Sequence, residues 1–278
     1  MSESVKVLAF HGQQQIKDQY LARVRAHREA DELVSGTGWE QNGKVRGCAV
    51  GCTFNAYDHT RGPVEIGYPT DLLFLEDSIF EGLALDNDGA HLSFPEAFLD
   101  AAAPGADLSM VLPRFSLWLL AGPETPLTFD ADKYPGVAAA VAGVAQLHQE
   151  WITTGTRPEA ARWSAAESVA RNAVRSIAES ADECAPRSVA ESAAWSAVMS
   201  AVRSVTRSGD GCAVRSVAES VTESAAWSAV RSAVRSAVRS VARSADGCAP
   251  RSVAKRVTEC AAWKKMRDKL LALLREAT

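Results

Sequence analysis

The spacing of large apolar residues divides this chain into two parts with different patterns. In the first part, apolar positions recur every three or four residues in several stretches, which is typical of amphipathic helices. The clearest stretch is 12–34, where one side carries Ile16, Tyr20, Val24, His27 and Leu33. The same spacing predicts further helices at 69–84, 95–102, 107–121 and 135–152. Few segments alternate as strands do, so we expect an all-α protein.

The second part repeats a four-residue unit of Ala, Ser, Val and Arg. Four tryptophans mark the repeats at spacings of 32, 32 and 36 residues: Trp163, Trp195, Trp227 and Trp263. Gly, Asp and Pro lie between successive repeats, and residues of these types commonly end one helix and begin the next. The pattern predicts four helices at 158–181, 186–208, 213–245 and 250–277. Short breaks between long helices favour an antiparallel array.

A β-solenoid is the competing interpretation of the repeats, because Ser and Val suit strands. In a strand, side chains on one face recur every two residues, whereas the repeat sequence has a period of four residues. It is also rich in Ala, which is the best helix former. In a helix, four residues turn through about 400° around the helix axis. Equivalent positions in successive four-residue units are therefore displaced by about 40° around the helix. Burial of Ala contributes little hydrophobic free energy, so we expect the tryptophans to anchor these helices.

Charge follows the same division and gives two expected domains. Residues 1–157, the acidic helical domain, carry 11 Lys and Arg against 21 Asp and Glu, whereas residues 158–278 carry 19 against 13. The basic part includes an arginine column: Arg231, Arg235, Arg239 and Arg243. The column is either a phosphate-binding stripe or a solvated face, and it could also dock on the acidic half. Aromatic residues do not interleave with the arginines, so we do not expect nucleic acid as a partner.

Several classes of protein are disfavoured by composition. No apolar run approaches the roughly 18 to 20 residues that span a bilayer. The first residues, MSESVKVLAFHG, lack the pattern of a signal peptide. Six cysteines are then expected to be free thiols in a reducing compartment. The sequence therefore predicts a cytoplasmic protein without membrane contact.

Candidate chemistry is concentrated in the Gly-rich segment 36–69. It contains GCAVGC, with Cys48 and Cys52, followed by His59 and Arg61. In one hypothesis, Cys52 or Cys48 is a nucleophile that His59 or His27 activates. An acid such as Asp31 or Glu65 would then orient the base, because a thiolate beside an imidazole is a good nucleophile. No signature of a known cysteine enzyme is present.

Two other interpretations of the segment remain open. The spacing of Cys48 and Cys52 is compatible with zinc, together with histidines, but a second ligand pair is missing. Alternatively, the thiols pack inside the loop and the polar groups bind a small ligand. Gly47 and Gly51 would then permit close approach of the backbone. We favour this last interpretation and expect no metal and no cofactor.

A weaker hint of ligand binding lies at the start of the first helix. His11 precedes its N-terminus and Lys17 lies two turns further on, an arrangement that could hold an anion. His27 and Asp31 are spaced to share one helix face. Together with Trp39, Cys48 and Arg61, these residues are the candidate ligand-binding set.

Several phrases of the sequence resemble a group of uncharacterised proteins predicted from bacterial and phage genomes. The phrases are FHGQQQIK, RVRAHREADELVSGTGWE, GCAVGCT, LEDSIFEGL and PGADLSMVLPRFSLWLL. Those proteins pair such a front half with an Ala-rich helical tail, and the tail here also resembles helices of immunity-type proteins. The resemblance implies a prokaryotic or phage setting without naming an activity. It also implies that the shared positions form one site: His11, Lys17, His27, Asp31, Trp39, Cys48, Cys52 and His59.

Taken together, these observations predict a non-enzymatic binding protein. The expected ligand is a small anion or a partner protein, and the expected role is accessory, in interference or immunity. Homo-oligomers could form through the repeat helices. The alternative is a cysteine-dependent transferase or hydrolase that uses Cys52 and His59.

Overall fold

The computed structural model confirms an all-α protein. It describes residues 8–41, 44–86, 88–125, 131–132, 134–179 and 251–278. The helices in this part of the chain are α1 (Gln14–Glu29), α2 (Ala49–Phe54), α3 (Gly62–Glu65), α4 (Thr70–Leu83), α5 (Ala90–Ala101), α6 (Val111–Ala121), α7 (Pro135–Thr154), α8 (Ala160–Glu179) and α9 (Arg251–Glu276). The predicted helices 186–208 and 213–245 lie outside the described residues, so the antiparallel repeat array stays a prediction.

The first helix is shorter than its apolar pattern suggests. The stretch 12–34 was expected to be helical, but α1 ends at Glu29. Asp31 has a φ of 56°, in the left-handed region, and the backbone N–H of Glu32 donates to the carbonyl of His27 at 2.9 Å. This turn separates Asp31 from the helix face on which it was placed.

The Gly-rich segment 36–69 is more ordered than an irregular loop. A two-residue antiparallel pairing joins β1 (Trp39–Glu40) to β2 (Arg46–Gly47), and α2 and α3 follow. The expected close approach of backbone at Gly51 is confirmed, because a Cβ there would overlap the carbonyl oxygen of Gly38. The hairpin can therefore lie directly on α2 only because this position lacks a side chain.

Contacts in space group the chain into two compact units, Met1–Phe115 with Trp263–Thr278, and Ser116–Ala262. This grouping follows packing, whereas the predicted boundary between 157 and 158 follows composition along the chain. In unit 1 the central element is α4, which begins at Thr70 itself and not after a Thr70 cap. Most of its side chains are buried, including two acids, Glu76 and Asp77.

The end of α9 belongs to the core of unit 1. Its buried side chains recur at helical spacing: Trp263, Met266, Leu270, Leu273 and Leu274. A Cβ at Gly82 of α4 would overlap the ring of Trp263, so α4 and α9 meet at van der Waals distance at this glycine. The leucines supply large apolar side chains, which the Leu-free repeat sequence before them lacks.

In unit 2, α7 and α8 pack against each other. The expected anchoring role of the repeat tryptophan is seen at Trp163, which is fully buried. Its ring N–H donates to the carbonyl of Pro158 at 3.1 Å, and its ring meets His148 edge-on at 5.0 Å. Among the described helices of both units, none is long and apolar enough to cross a membrane.

Candidate functional site

The N-terminus of α2 places Cys48 against α4. Cys48 is the N-cap residue of α2, and its sulfur accepts a hydrogen bond from the backbone N–H of Gly51 at 3.4 Å. Its thiol also contacts the carboxylate of Asp77. Burial, and then the neighbouring charge of Asp77, raise the pKa of the Cys48 thiol far above its usual range. Cys48 is therefore a neutral thiol at physiological pH.

The carboxylate of Asp77 contacts two further polar side chains of this cluster, those of Tyr57 and His59. The hydroxyl of Tyr57 donates to Oδ2 of Asp77 at 3.2 Å, and Nε2 of His59 lies 3.7 Å from the same oxygen. His59 is buried and stacks on Phe74 with ring centroids 3.7 Å apart. The structure thus joins His59 to Cys48 through Asp77.

Cys52, one turn further along α2, has carbonyl groups as its neighbours. Its thiol donates to the carbonyl oxygen of Gly47 at 3.4 Å and lies 3.9 Å from that of Glu32. Burial first, and then the charges of Glu32 and Glu76, raise the pKa of Cys52 to about 12. A nucleophilic cysteine needs its thiolate, and both thiols are here held in the protonated form.

Three members of this cluster, Glu76, Asp77 and Tyr57, were not in the candidate set predicted from the sequence. Glu76 is buried, and burial, followed by the charges of Asp77 and Glu81, raises the pKa of its carboxyl well above the usual value. A signal was present in the sequence. The helix LLFLEDSIFEGL is apolar on nearly all sides, so acids inside it have little access to water.

His27 lies in a separate, more exposed cluster. The expected pairing of His27 with Asp31 is wrong, because α1 ends before Asp31. Instead, Nδ1 of His27 lies 2.6 Å from the Glu32 carboxylate and Nε2 lies 2.8 Å from Oδ1 of Asn55. The edge of the imidazole also meets Trp39, with ring centroids 5.6 Å apart. These contacts fix the turn after α1 against the C-terminus of α2.

Lys17 and His11 do not form a common anion site. The ammonium of Lys17 is nearly buried and donates to the carbonyls of Asp100 and Ala102 at 2.6 and 3.0 Å, at the C-terminus of α5. It also lies 3.3 Å from the Asp100 carboxylate. His11 is exposed, and its Nε2 lies 3.0 Å from the carbonyl of Val64. Lys17 therefore caps a helix C-terminus, which carries partial negative charge.

Arg61 likewise has internal partners. It donates to the carbonyl of Phe54 at 2.6 Å and forms an ion pair with Glu65, which also accepts from the hydroxyl of Tyr20. Arg23 donates to the neighbouring carbonyl of Thr53 at 2.8 Å. The two guanidinium groups thus satisfy the last carbonyls of α2.

Within the residues that the structure describes, no group of three or more His, Cys, Asp or Glu side chains is placed to hold a metal ion.

The site is therefore a buried polar cluster of Cys48, Asp77, His59 and Glu76, with Tyr57 at its surface. No family model, curated protein or solved structure matches this chain.

Proposed function

We propose that this chain is a non-enzymatic binding protein that recognises a partner protein through the surface around Tyr57. An accessory role in bacterial or phage interference or immunity, and a cytoplasmic location, belong to the same proposal. They rest on the resemblance of the sequence phrases to bacterial and phage proteins. The recognition itself rests on the geometry of Tyr57.

The observation that carries the proposal is a tyrosine that is exposed and yet held in place. Tyr57 is 49% exposed. Its hydroxyl is fixed on Asp77, its ring meets His59 edge-on at 5.0 Å, and the backbone of Gly38 packs on the ring face. Tyrosine is enriched among residues that dominate binding energy, and a preorganised ring loses little conformational entropy on binding.

The basic residues of the candidate ligand-binding set support a partner protein over a small anion. Lys17 and Arg61, which an anion would need, donate to carbonyl groups inside the protein. Apolar surface is available close by in sequence, because Val64 is 79% exposed. Interface centres combine aromatic and apolar contacts with few free charges. The raised pKa values of Cys48 and Cys52 favour binding over cysteine catalysis.

Site-specific photocrosslinking tests the proposal. A photoreactive amino acid replaces Val64, and the protein is irradiated in its native host. The matched control carries the same amino acid at Val169, an exposed valine on α8. We expect a discrete protein adduct at 64 that is absent at 169. We also expect Tyr57→Ala to remove it and Tyr57→Phe, which keeps the ring, to weaken it less.

Two outcomes would contradict the proposal. Equal adducts at positions 64 and 169 would indicate nonspecific contact. A retained small molecule in native mass spectrometry, together with no adduct, would favour a small ligand. Alkylation near pH 7 separates the enzyme hypothesis, which requires one cysteine to react far faster than the thiols of the unfolded chain. We expect Cys48 and Cys52 to react slowly.

A further inference from the structure

The hydrogen bond of Tyr57 with Asp77 makes its exposed ring attractive to positive charge. The tyrosine hydroxyl donates to Oδ2 of Asp77 at 3.2 Å, and Asp77 is only 3% exposed. A hydrogen bond to a carboxylate is charge-assisted, so it shifts electron density from the hydroxyl into the ring. The negative potential at the ring face rises with that density, and this potential attracts cations. The exposed part of Tyr57 therefore attracts a cation more strongly than the ring of a tyrosine bonded to water.

Charged side chains next to Tyr57 give the surface around its ring a negative potential. Asp58 follows Tyr57 in the chain, and its carboxylate accepts from the backbone N–H and the hydroxyl of Thr60 at 2.9 and 2.6 Å. These donors are neutral, so they do not cancel the charge of Asp58. The guanidinium of Arg61, which follows closely in the chain, is paired with the carboxylate of Glu65. Asp58 thus adds to the negative charge that already lies behind the tyrosine hydroxyl.

Arginine is the cationic side chain that fits this arrangement best. Its planar guanidinium stacks on aromatic rings and is less strongly hydrated than the ammonium of lysine. Its N–H groups can also donate to a carboxylate beside the ring, and Asp58 offers one. Arginine and tyrosine are both enriched at the centres of protein interfaces. The chemistry of this surface therefore favours a partner that approaches it with arginine.

We propose that the partner protein presents an arginine side chain to Tyr57. The guanidinium lies over the exposed part of the ring and donates to the carboxylate of Asp58. This inference rests on the proposed function, because it names the contact that the partner makes at the same surface. The ring and the carboxylates of Asp58 and Asp77 are in place before any partner arrives, so the surface also binds arginine in a short peptide.

Nuclear magnetic resonance of the full-length protein tests this contact with two short probes. The first is the peptide acetyl-Leu-Arg-Arg-Leu-amide, and the second replaces each arginine with citrulline, which has nearly the same shape without the charge. The reporters are the backbone amides of Gly38 and His59, the residues that contact the Tyr57 ring. At low ionic strength, we expect the arginine peptide to shift both amides saturably and the citrulline peptide to leave them unchanged. Added salt should weaken the binding, because it screens charges at the surface.

Two variants with matched rings separate attraction of the cation from simple burial. Tyr57→Phe keeps a negative potential at the ring face, whereas Tyr57→pentafluorophenylalanine keeps the ring shape and reverses that potential. We expect the dissociation constant of the arginine peptide to be about two- to fivefold higher for the fluorinated variant. The same two substitutions at Tyr134, a half-buried tyrosine of unit 2, are the matched control and should give equal dissociation constants.

Three results would overturn the arginine contact: equal dissociation constants for the two ring variants at position 57, equal shifts with the citrulline peptide, or shifts elsewhere with none at Gly38 and His59. A protein adduct at position 64 without peptide binding at Tyr57 would refute the arginine contact and leave partner recognition in place. Peptide binding at Tyr57 without any adduct would support the cation site and contradict the proposed function instead. Circular dichroism of each variant verifies that the substitutions at this exposed position preserve the fold.

Discussion

Acidification should destabilise unit 2 through a single buried histidine. His148 lies on α7, is buried, and packs between the rings of Trp151 and Trp163. Burial first, and then the nearby positive charge of Arg157, lower the pKa of His148 to about 3. The folded protein therefore holds the neutral imidazole, whereas the unfolded chain binds a proton with the ordinary pKa of about 6.5.

The sign and size of the effect follow from these two values. A histidine with a lowered pKa contributes stability that is present above pH 6.5 and is lost as the pH falls towards 3. Between pH 7 and pH 5, the loss is about 2 kcal/mol. The full difference, reached only near pH 3, would be about 4 to 5 kcal/mol.

Urea titrations at pH 7 and pH 5, followed by tryptophan fluorescence, measure this loss. His148→Phe keeps an aromatic ring without a titrating group, so its free energy of unfolding should fall by about 2 kcal/mol less than that of the wild type. Gln149→Ala, at an exposed position beside it, should keep the wild-type pH dependence. If His148→Phe and the wild type lose equal stability on acidification, the buried neutral histidine is not the cause.

Three further predictions concern unit 1 and the helix packing. The pKa of the Glu76 carboxyl is higher in the folded protein than in the unfolded chain. Its contribution to the free energy of unfolding is therefore fully present below the unfolded-state pKa and is lost as the pH rises. Glu76→Gln should therefore stabilise the protein more at pH 8 than at pH 5, and equal gains in the urea midpoint would refute this. Lys17→Met removes two charge-assisted hydrogen bonds and should cost about 2 kcal/mol by urea unfolding, while an unchanged midpoint would show that the cap is dispensable. Gly82→Ala should cost about 1 to 3 kcal/mol in thermal unfolding, because its methyl group overlaps Trp263. Gly143→Ala, with open space around it, should be stabilising by up to about 1 kcal/mol, and equal effects at the two glycines would contradict the packing described.

The sequence predicted the class of fold because apolar periodicity is a local property. The stretches around α1, α4 and α7 carry it clearly, and their existence and type are confirmed. The predicted end of the first helix, at residue 34, was wrong because Leu33 and Val34 pair with Gly47. This pairing directs the chain away from the helix axis after Glu29. That pairing depends on a strand more than ten residues away, which no local pattern shows.

The candidate site was predicted in part for the same reason. Segment 36–69 contains Cys48, Cys52 and His59, as expected, but the residue that joins two of them, Asp77, lies in another helix. The partner carbonyls of Lys17 lie more than 80 residues away along the chain. Whether a lysine binds an anion or caps a helix depends on such distant neighbours, and spacing within one segment cannot distinguish the two.

Placement of the C-terminal segment in unit 1 also has a consequence for biosynthesis. Residues 1–115 leave the ribosome first, but their core lacks Trp263 and the final leucines until about 150 further residues are made. At about 5 to 20 residues per second, this delay is roughly 7 to 30 s. During that time the surface beside Gly82 lacks the Trp263 ring that covers it in the folded protein. The speed of translation through the repeats therefore sets how long the core of unit 1 stays incomplete.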